Sequence, residues 1–158
     1  MSVPNVLATR YASAELRGIW SPEHKVLLER QLWLAVLEAQ RDLGIEVPDG
    51  VVEAYRGVVD LGEKGVDLES IAARERVTRH DVKARIEEFS ALAGHEHIHK
   101  GMTSRDLTEN VEQLQVKQSL ALVRDRAVAA LARLARLAAE HETTVMAGRS
   151  HNVAAQAT

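Results

Sequence analysis

The stretch Thr103–Glu140, TSRDLTENVEQLQVKQSLALVRDRAVAALARLARLAAE, decides how the rest of the chain is read. No glycine or proline occurs between Met102 and Ala147, so no strong helix breaker interrupts it. Apolar residues at Leu107, Val111, Leu114, Leu120, Val123, Val128, Leu131, Leu134 and Leu137 follow at steps of mostly three and four, which puts them on one face of a helix. Thr103-Ser104-Arg105-Asp106 has the form of a capping box with Asp in place of Glu, making Thr103 the N-cap. A helix from there to about Glu140 would be roughly 55 Å long at about 1.5 Å per residue. Such a length exceeds what a small globule can cover. The spacing therefore predicts a helical bundle completed by further helices or by partner chains.

Upstream, the signals are those of shorter helices. Residues Val3 to Arg17 have weak periodicity and read as an extended leading segment with room for one short helix. Ser21-Pro22 pairs a good N-cap with a proline at the first helical position. Val26, Leu27, Leu34, Leu37 and Leu43 then recur at helical spacing up to a stop at Gly44. Pro48-Asp49-Gly50 is a turn, and a second helix is expected over Val51–Val59, before a Gly62–Gly65 loop. Asp67 can cap a third helix running to about Glu75. Another follows His80, with Val82, Ile86 and Phe89 on one face and Gly94 at its end. The polar run from His95 to Gly101 reads as a connector.

Composition agrees with packed helices. The 158 residues are 46% hydrophobic and only 3% aromatic, and their apolar content is mostly Leu, Ala and Val rather than the aromatic and β-branched residues that strands favour. Charged residues make up 27%, near the globular average, so disorder is not indicated. A net charge of -3 gives no basic footprint for nucleic acid. Cysteine is absent, which excludes disulfides, thiolate metal sites and cysteine nucleophiles. No signal-peptide pattern and no membrane-length apolar run occurs, so a cytoplasmic location is expected. The Ala-rich sequence after Asn152 reaches Thr158 without a helix stop signal, and we expect the chain to be part of a longer one.

Three polar clusters lie at element boundaries, where a rigid scaffold can aim chemistry. In Thr78-Arg79-His80-Asp81, Arg79 offers a planar fork for phosphate or carboxylate, His80 titrates near neutrality, and Asp81 can orient it. The same residues also make an ordinary helix start, with Asp81 favoured in the first turn. Gly101-Met102-Thr103-Ser104-Arg105-Asp106 combines a helix N-terminus with two hydroxyls, a ready anion site or a plain cap. In Gly148-Arg149-Ser150-His151-Asn152, a histidine beside a hydroxyl could serve as general acid or base, or simply sit on a surface. The alternating His95, His97 and His99 suggest metal only in an extended segment, and no carboxylate or cysteine completes a first shell; an anion-facing role for one of them fits better.

Together these clusters resemble the adenylosuccinate lyases of the fumarase/aspartase superfamily. The matching order is Arg10-Tyr11, Ile19-Trp20, Arg79-His80-Asp81-Val82, Gly101-Met102-Thr103-Ser104-Arg105-Asp106 and Gly148-Arg149-Ser150-His151. The resemblance covers essentially the whole chain. It implies an all-α fold: an N-terminal helical domain over residues 1–102, then the first long helix of a truncated central helical-bundle domain over residues 103–158. It implies β-elimination of fumarate, from adenylosuccinate to give AMP and from the succinylated aminoimidazole-carboxamide ribotide of purine biosynthesis. The family uses no metal and no organic cofactor, and forms a homotetramer whose sites each draw on three subunits. The implied partner is a small molecule, a succinylated purine nucleotide, with neither nucleic acid nor membrane.

Carried over by motif, His151 would be the general acid toward the leaving nitrogen and His80 its partner. Arg10 and Tyr11 would bind the nucleotide, Arg79 and Asp81 would line the site, and Thr103 with Ser104 would hold a substrate carboxylate. His99 matches a histidine near the phosphate in relatives, and Ser150 keeps the hydroxyl of a family threonine. Two departures stand out. Asn152 replaces a family glycine, and the Gly-Ser-Ser-x-Met-Pro loop that bears the family's serine base does not occur in this sequence. The chain alone is therefore expected to be inactive. Rival readings are another fumarate-releasing lyase or cycloisomerase of the superfamily, and a helical oligomerisation module without catalysis.

Overall fold

A computed structural model of the chain describes residues 5–157, and helices dominate it. A single π-helical turn, Leu7–Tyr11, precedes α1 (Ala14–Ile19) and α2 (Pro22–Asp42). Then come α3 (Val51–Val59), a 3-10 turn at Gly62–Gly65, α4 (Leu68–Thr78), α5 (Asp81–Ala93) and α6 (Ser104–Glu140). Two strands, β1 (Ala147–Ser150) and β2 (Val153–Ala157), pair antiparallel. This hairpin is the one addition to the all-α expectation.

The boundaries follow from local chemistry. Ser21 caps α2 by accepting from the His24 N–H at 3.1 Å, and Pro22 occupies the first turn. Asp67 caps α4 through the N–H groups of Glu69 and Ser70. His80 caps α5 with its ring, Nδ1 accepting from the Lys83 N–H at 3.3 Å. Gly50 and Gly94 flank helices in the left-handed region, where a side chain would be strained. In α4 the helix runs three residues past the expected Glu75, because Arg79 itself adopts φ 54° and ends it.

Contacts divide the chain into two units, with the division inside α6 between Ser119 and Leu120. In the first, the main core joins Trp33, Leu34 and Leu37 of α2 with Val51, Val52, Tyr55 and Val58 of α3. Val82 and Phe89 of α5, Ile98 of the following loop and Leu107 of α6 complete it. A smaller cluster links Val26, Ile71 and Ala84 across α2, α4 and α5. Leu43, expected on the buried face of α2, is instead 82% exposed beyond the helix end. In the second unit, Leu120, Val123, Val128, Leu131 and Leu134 are all exposed along α6, so their regular spacing forms an uncovered apolar row.

Charges are also buried, in an arrangement that apolar periodicity does not reveal. Arg30 of α2 and Glu88 of α5 face each other fully buried, with guanidinium Nη2 at 2.8 and 2.7 Å from the two carboxylate oxygens. Arg30 Nη1 also donates to the Gly65 carbonyl at 3.0 Å, and its guanidinium lies 5.4 Å from the Phe89 ring centre. Beside this pair, Glu29 is completely buried with Arg85 Nε 2.6 Å from Oε2, but without hydrogen-bond alignment. Burial outweighs the attraction of Arg85 and pushes the Glu29 carboxyl up to about 7.

Both arrangements predict stability effects. Glu88→Leu leaves Arg30 charged and unpaired, and is expected to lower the unfolding free energy by about 3–5 kcal/mol. Replacing both partners with apolar residues should restore much of that loss. Urea unfolding followed by circular dichroism measures both, and a single variant as stable as the parent contradicts the pairing. For Glu29 the ordinary value is 4.5, so between pH 4.5 and about 7 the folded chain holds a proton that the unfolded chain has released. Stability therefore falls as pH rises through that window and then levels off. Glu29→Gln is expected to flatten this slope, which unfolding measured at both ends of the window would show.

Candidate functional site

The Arg79–Asp81 cluster is the junction between α4 and α5. Its left-handed Arg79 redirects the chain and leaves the guanidinium exposed, with no side-chain partner among the described residues. His80 follows in extended conformation. Its Nδ1 has two neighbours of opposite character: the Lys83 N–H, which needs an acceptor, and Asp81 Oδ1 at 3.6 Å, which would take a proton. The ring thus caps α5 while lying close to the Asp81 carboxylate.

Asp81 is fixed from the other side, where Arg85 Nη2 donates to Oδ2 at 2.9 Å. Burial, the largest single influence on Asp81, raises its pKa; the Val82 N–H and Arg85 together outweigh it and hold the carboxyl below its ordinary value. Arg85 thus bridges exposed Asp81 to buried Glu29. Neither Arg85 nor Glu29 belongs to a polar cluster at an element boundary. The i to i+4 spacing of Asp81 and Arg85 was the available signal for one of them.

The second group occupies the connector between α5 and α6. Tyr55 is fully buried in α3, and its hydroxyl donates to the His95 carbonyl and accepts from the His97 N–H at 3.2 Å. Gln40 of α2 donates to the Lys100 carbonyl at 2.9 Å. Between these fastenings sits His99 at φ 65°, its Nδ1 accepting from the Trp33 indole N–H at 3.0 Å. Burial is the main reason its pKa is lowered; Asp106 opposes that effect and His80 adds to it. His80 and His99 therefore share one electrostatic neighbourhood, although they are 19 positions apart in the chain.

Thr103 and Ser104 open α6 as expected, but only part of the capping box forms. Asp106 Oδ2 accepts from the Thr103 N–H at 2.7 Å, while the Thr103 hydroxyl turns to the same oxygen at 3.2 Å. Asp106 consequently anchors the helix start and also acts electrostatically on His99. The alternating histidines do not converge: His97 Nδ1 meets Lys100 Nζ at 2.9 Å, while His99 Nδ1 is taken by Trp33. No group of three or more histidine, aspartate or glutamate side chains among the described residues is arranged to hold a metal.

Arg10 and Tyr11 lie apart from this neighbourhood, on the π-helical turn before α1. Arg17 holds that turn against α1 through the Ala8 and Ala12 carbonyls, and Tyr11 is 76% exposed beside Leu16 and Trp20. Trp20 in turn donates to the Ser119 hydroxyl at 2.9 Å.

His151 belongs to the second unit, at the tip of the β1–β2 hairpin. Ser150 pairs with Val153, so His151 and Asn152 form a two-residue turn with φ 49° and 63°. Two consecutive left-handed residues make the type I′ geometry that right-twisted strands prefer. Asn and His are among the non-glycine residues that tolerate this conformation best. Asn152 can therefore occupy this turn, at a position where the resemblance implies glycine. The His151 ring is exposed.

The chain is similar to known proteins over most of its length. The family model described as "Lyase" matches residues 15–158. Adenylosuccinate lyase of Schistosoma mansoni is 31% identical over 98% of this chain and 32% of its own length. That of Methanocaldococcus jannaschii is 32% identical over 90% of the chain and 31% of its own. The N-acetyl-S-(2-succino)cysteine lyase of Enterococcus italicus is 28% identical over 95% of the chain and 33% of its own. The chain thus spans about a third of the length of these curated relatives.

Among solved structures, a fumarate lyase from Mesorhizobium superposes with a TM-score of 0.76 at 26% identity, over 92% of this chain and 34% of that one. The β-carboxy-cis,cis-muconate cycloisomerase of Acinetobacter calcoaceticus shares the fold, at TM-score 0.80 and 18% identity over 97% of this chain and 37% of the other. With nearly all of its length matched to the family model and helices arranged as in these enzymes, the chain belongs to the lyase family of the fumarase/aspartase superfamily.

Proposed function

We propose that the chain supplies the N-terminal part of an adenylosuccinate lyase, which releases fumarate from adenylosuccinate and from the succinylated aminoimidazole-carboxamide ribotide. The observation that carries this reading is the gathering of His80, His99 and Asp106 beside Arg79 and the Thr103 helix start. An arginine, a helix start and two histidines there suit an anionic substrate and the transfer of a proton. Similarity to adenylosuccinate lyases from a fluke and an archaeon supports the choice of substrate.

The chemistry assigns each group its work. Elimination removes a proton from the carbon beside a carboxylate, breaks the C–N bond, and protonates the departing nitrogen. Negative charge grows on the carboxylate side, where fixed donors lower the barrier. Thr103 and Ser104 bind a carboxylate of the succinyl group, and Arg79 with Asp81 lines the site. Arg10 and Tyr11 hold the nucleotide, with His99 toward its phosphate. His151 delivers the proton to nitrogen, aided by His80, and Ser150 contributes its hydroxyl. The proton-abstracting serine comes from sequence this chain does not contain. Domain organisation follows the same reading, with residues 1–102 as the N-terminal domain and residues 103–158 beginning the central bundle. The exposed apolar row from Leu120 to Leu134 supports assembly into a homotetramer, in which equivalent helices cover one another; a cytoplasmic location belongs to the same reading.

A second reading has its own support. The similarity to a succinocysteine lyase leaves open a different succinyl adduct as substrate, with the same elimination but sulfur as leaving atom. Fumarate release by the intact enzyme, measured on adenylosuccinate and on succinylated thiols, separates the two; indifference to adenylosuccinate defeats the first. The 158-residue chain alone is expected to release none. In the intact enzyme His151→Ala should reduce kcat by roughly 10²-fold or more. Unchanged turnover would instead make the hairpin histidine a surface residue and favour a non-catalytic helical scaffold.

A further inference from the structure

Trp33 lies in the middle of α2 with 1% of its surface exposed, yet its indole N–H does not end in the apolar core. It reaches the loop before α6 and donates to His99 Nδ1 at 3.0 Å. An indole nitrogen can only donate, so the nitrogen that receives it must present a lone pair. The ring proton of His99 then sits on Nε2. Protonating Nδ1 would set two N–H groups against each other and leave the indole hydrogen of buried Trp33 without an acceptor.

Neither ring is able to move aside. The Trp33 indole stacks on Phe89 at 6.1 Å, and Phe89 meets Tyr55 edge-on at 4.8 Å. The His99 ring stands at 84° to the indole, which fixes its plane as well as its proton. Tyr55 holds the loop backbone ahead of His99, and Gln40 holds it behind.

We propose that Trp33 is a positioning residue that keeps His99 neutral, with Nε2–H as its only outward group, so that substrate meets a directed donor rather than a cation. The inference rests on the reading of His99 as a substrate-binding residue, and it narrows that role. A ring already protonated on Nε2 cannot accept a proton there, so His99 cannot be the base. It can donate one hydrogen bond to a phosphate or carboxylate oxygen, and proton transfer falls to His80 and His151.

The surroundings are consistent with a neutral ring. From α6, Asp106 favours the charged form, but its Oδ2 already takes two hydrogen bonds from Thr103. At the start of α5, His80 disfavours it. Tyr55 of α3 spends its hydroxyl on the loop backbone, and Lys100 within the loop is engaged by His97. Burial, the largest influence, also opposes charge.

Nitrogen-15 spectra of the histidine rings in the 158-residue chain, recorded across a pH titration, test this directly. In the parent chain His99 is expected to show a protonated Nε2 and an unprotonated Nδ1, with a titration midpoint below the ordinary 6.5. In Trp33→Phe, which keeps an aromatic ring against Phe89, both tautomers should appear and the midpoint should rise toward that ordinary value. A parent His99 protonated on Nδ1, or a midpoint unmoved in Trp33→Phe, overturns the proposal, and the parent spectrum decides the first point even if the variant folds poorly.

In the intact enzyme, Trp33→Phe should give KM a new pH dependence through the His99 titration with a smaller change in kcat; a pH profile unchanged in both would also overturn it. His99→Gln, which keeps a donor at the Nε2 place, should retain substrate affinity better than His99→Asn. An enzyme indifferent to adenylosuccinate would defeat the substrate assignment while the ring spectra still decided the role of Trp33.

Discussion

The frame depends on one interaction, the buried pair of Arg30 and Glu88 between α2 and α5. A guanidinium and a carboxylate that reach no solvent tolerate very little displacement, because separation leaves each charge in a medium that cannot solvate it. The two helices are thereby fixed in register, and so is the residue beside Glu88. That residue is Phe89, over which the Arg30 guanidinium lies. The hydrogen bond to the Gly65 carbonyl brings the 3-10 turn into the same assembly. The arrangement owes little to net attraction and much to the cost of every alternative.

From Phe89 the constraint passes to the loop that bears His99. The chain has two tryptophans, two tyrosines and one phenylalanine, and three of these five, Trp33, Phe89 and Tyr55, form a single cluster. Two carry a polar tip, and both tips leave the core to engage the same loop. Aromatic side chains suit this work because a large apolar body anchors them while one polar atom stays available. The loop is held by the interior of the protein rather than by its own sequence, and it can carry a strained histidine for that reason.

Helix positions were legible in the sequence because caps and stops act locally. Ser21, Asp67 and His80 each sit where their side chains can satisfy N–H groups that the helix leaves unpaired, and the helices begin directly after them. The candidate polar clusters were legible for the same reason, as each marks a boundary. What escaped was lateral. Glu29, Arg30, Glu88 and Ser90 are buried, and a reading built on apolar spacing assigns such residues to the surface. Nothing along the chain shows that Arg30 meets Glu88, or that Trp33 meets His99, 66 positions away. The hairpin around His151 escaped because its Ala-rich flanks carry no strand propensity and show no alternation of apolar and polar residues.

A further regularity concerns the backbone of the candidate site segments. Among the described residues, the non-glycine positions with positive φ are Arg79, His99, His151 and Asn152, and every one falls in a candidate site segment. The left-handed conformation costs a residue with a β-carbon roughly 1–2 kcal/mol, so chance placement in ordinary loops would be selected against wherever glycine served as well. Glycine cannot serve where a guanidinium or an imidazole is required. Each strained residue is also held by its neighbours: Arg79 ends α4 through a hydrogen bond to Glu75, His99 is fixed by Trp33, and His151 shares a hairpin turn. In the proposed reading, the left-handed backbone at Arg79 and His99 falls between helices, which stay regular while the connecting residues carry the strain. A reaction that develops negative charge needs donors already in place before substrate arrives. Sharp local backbone on a frame fixed by buried charge is a direct way to hold them there.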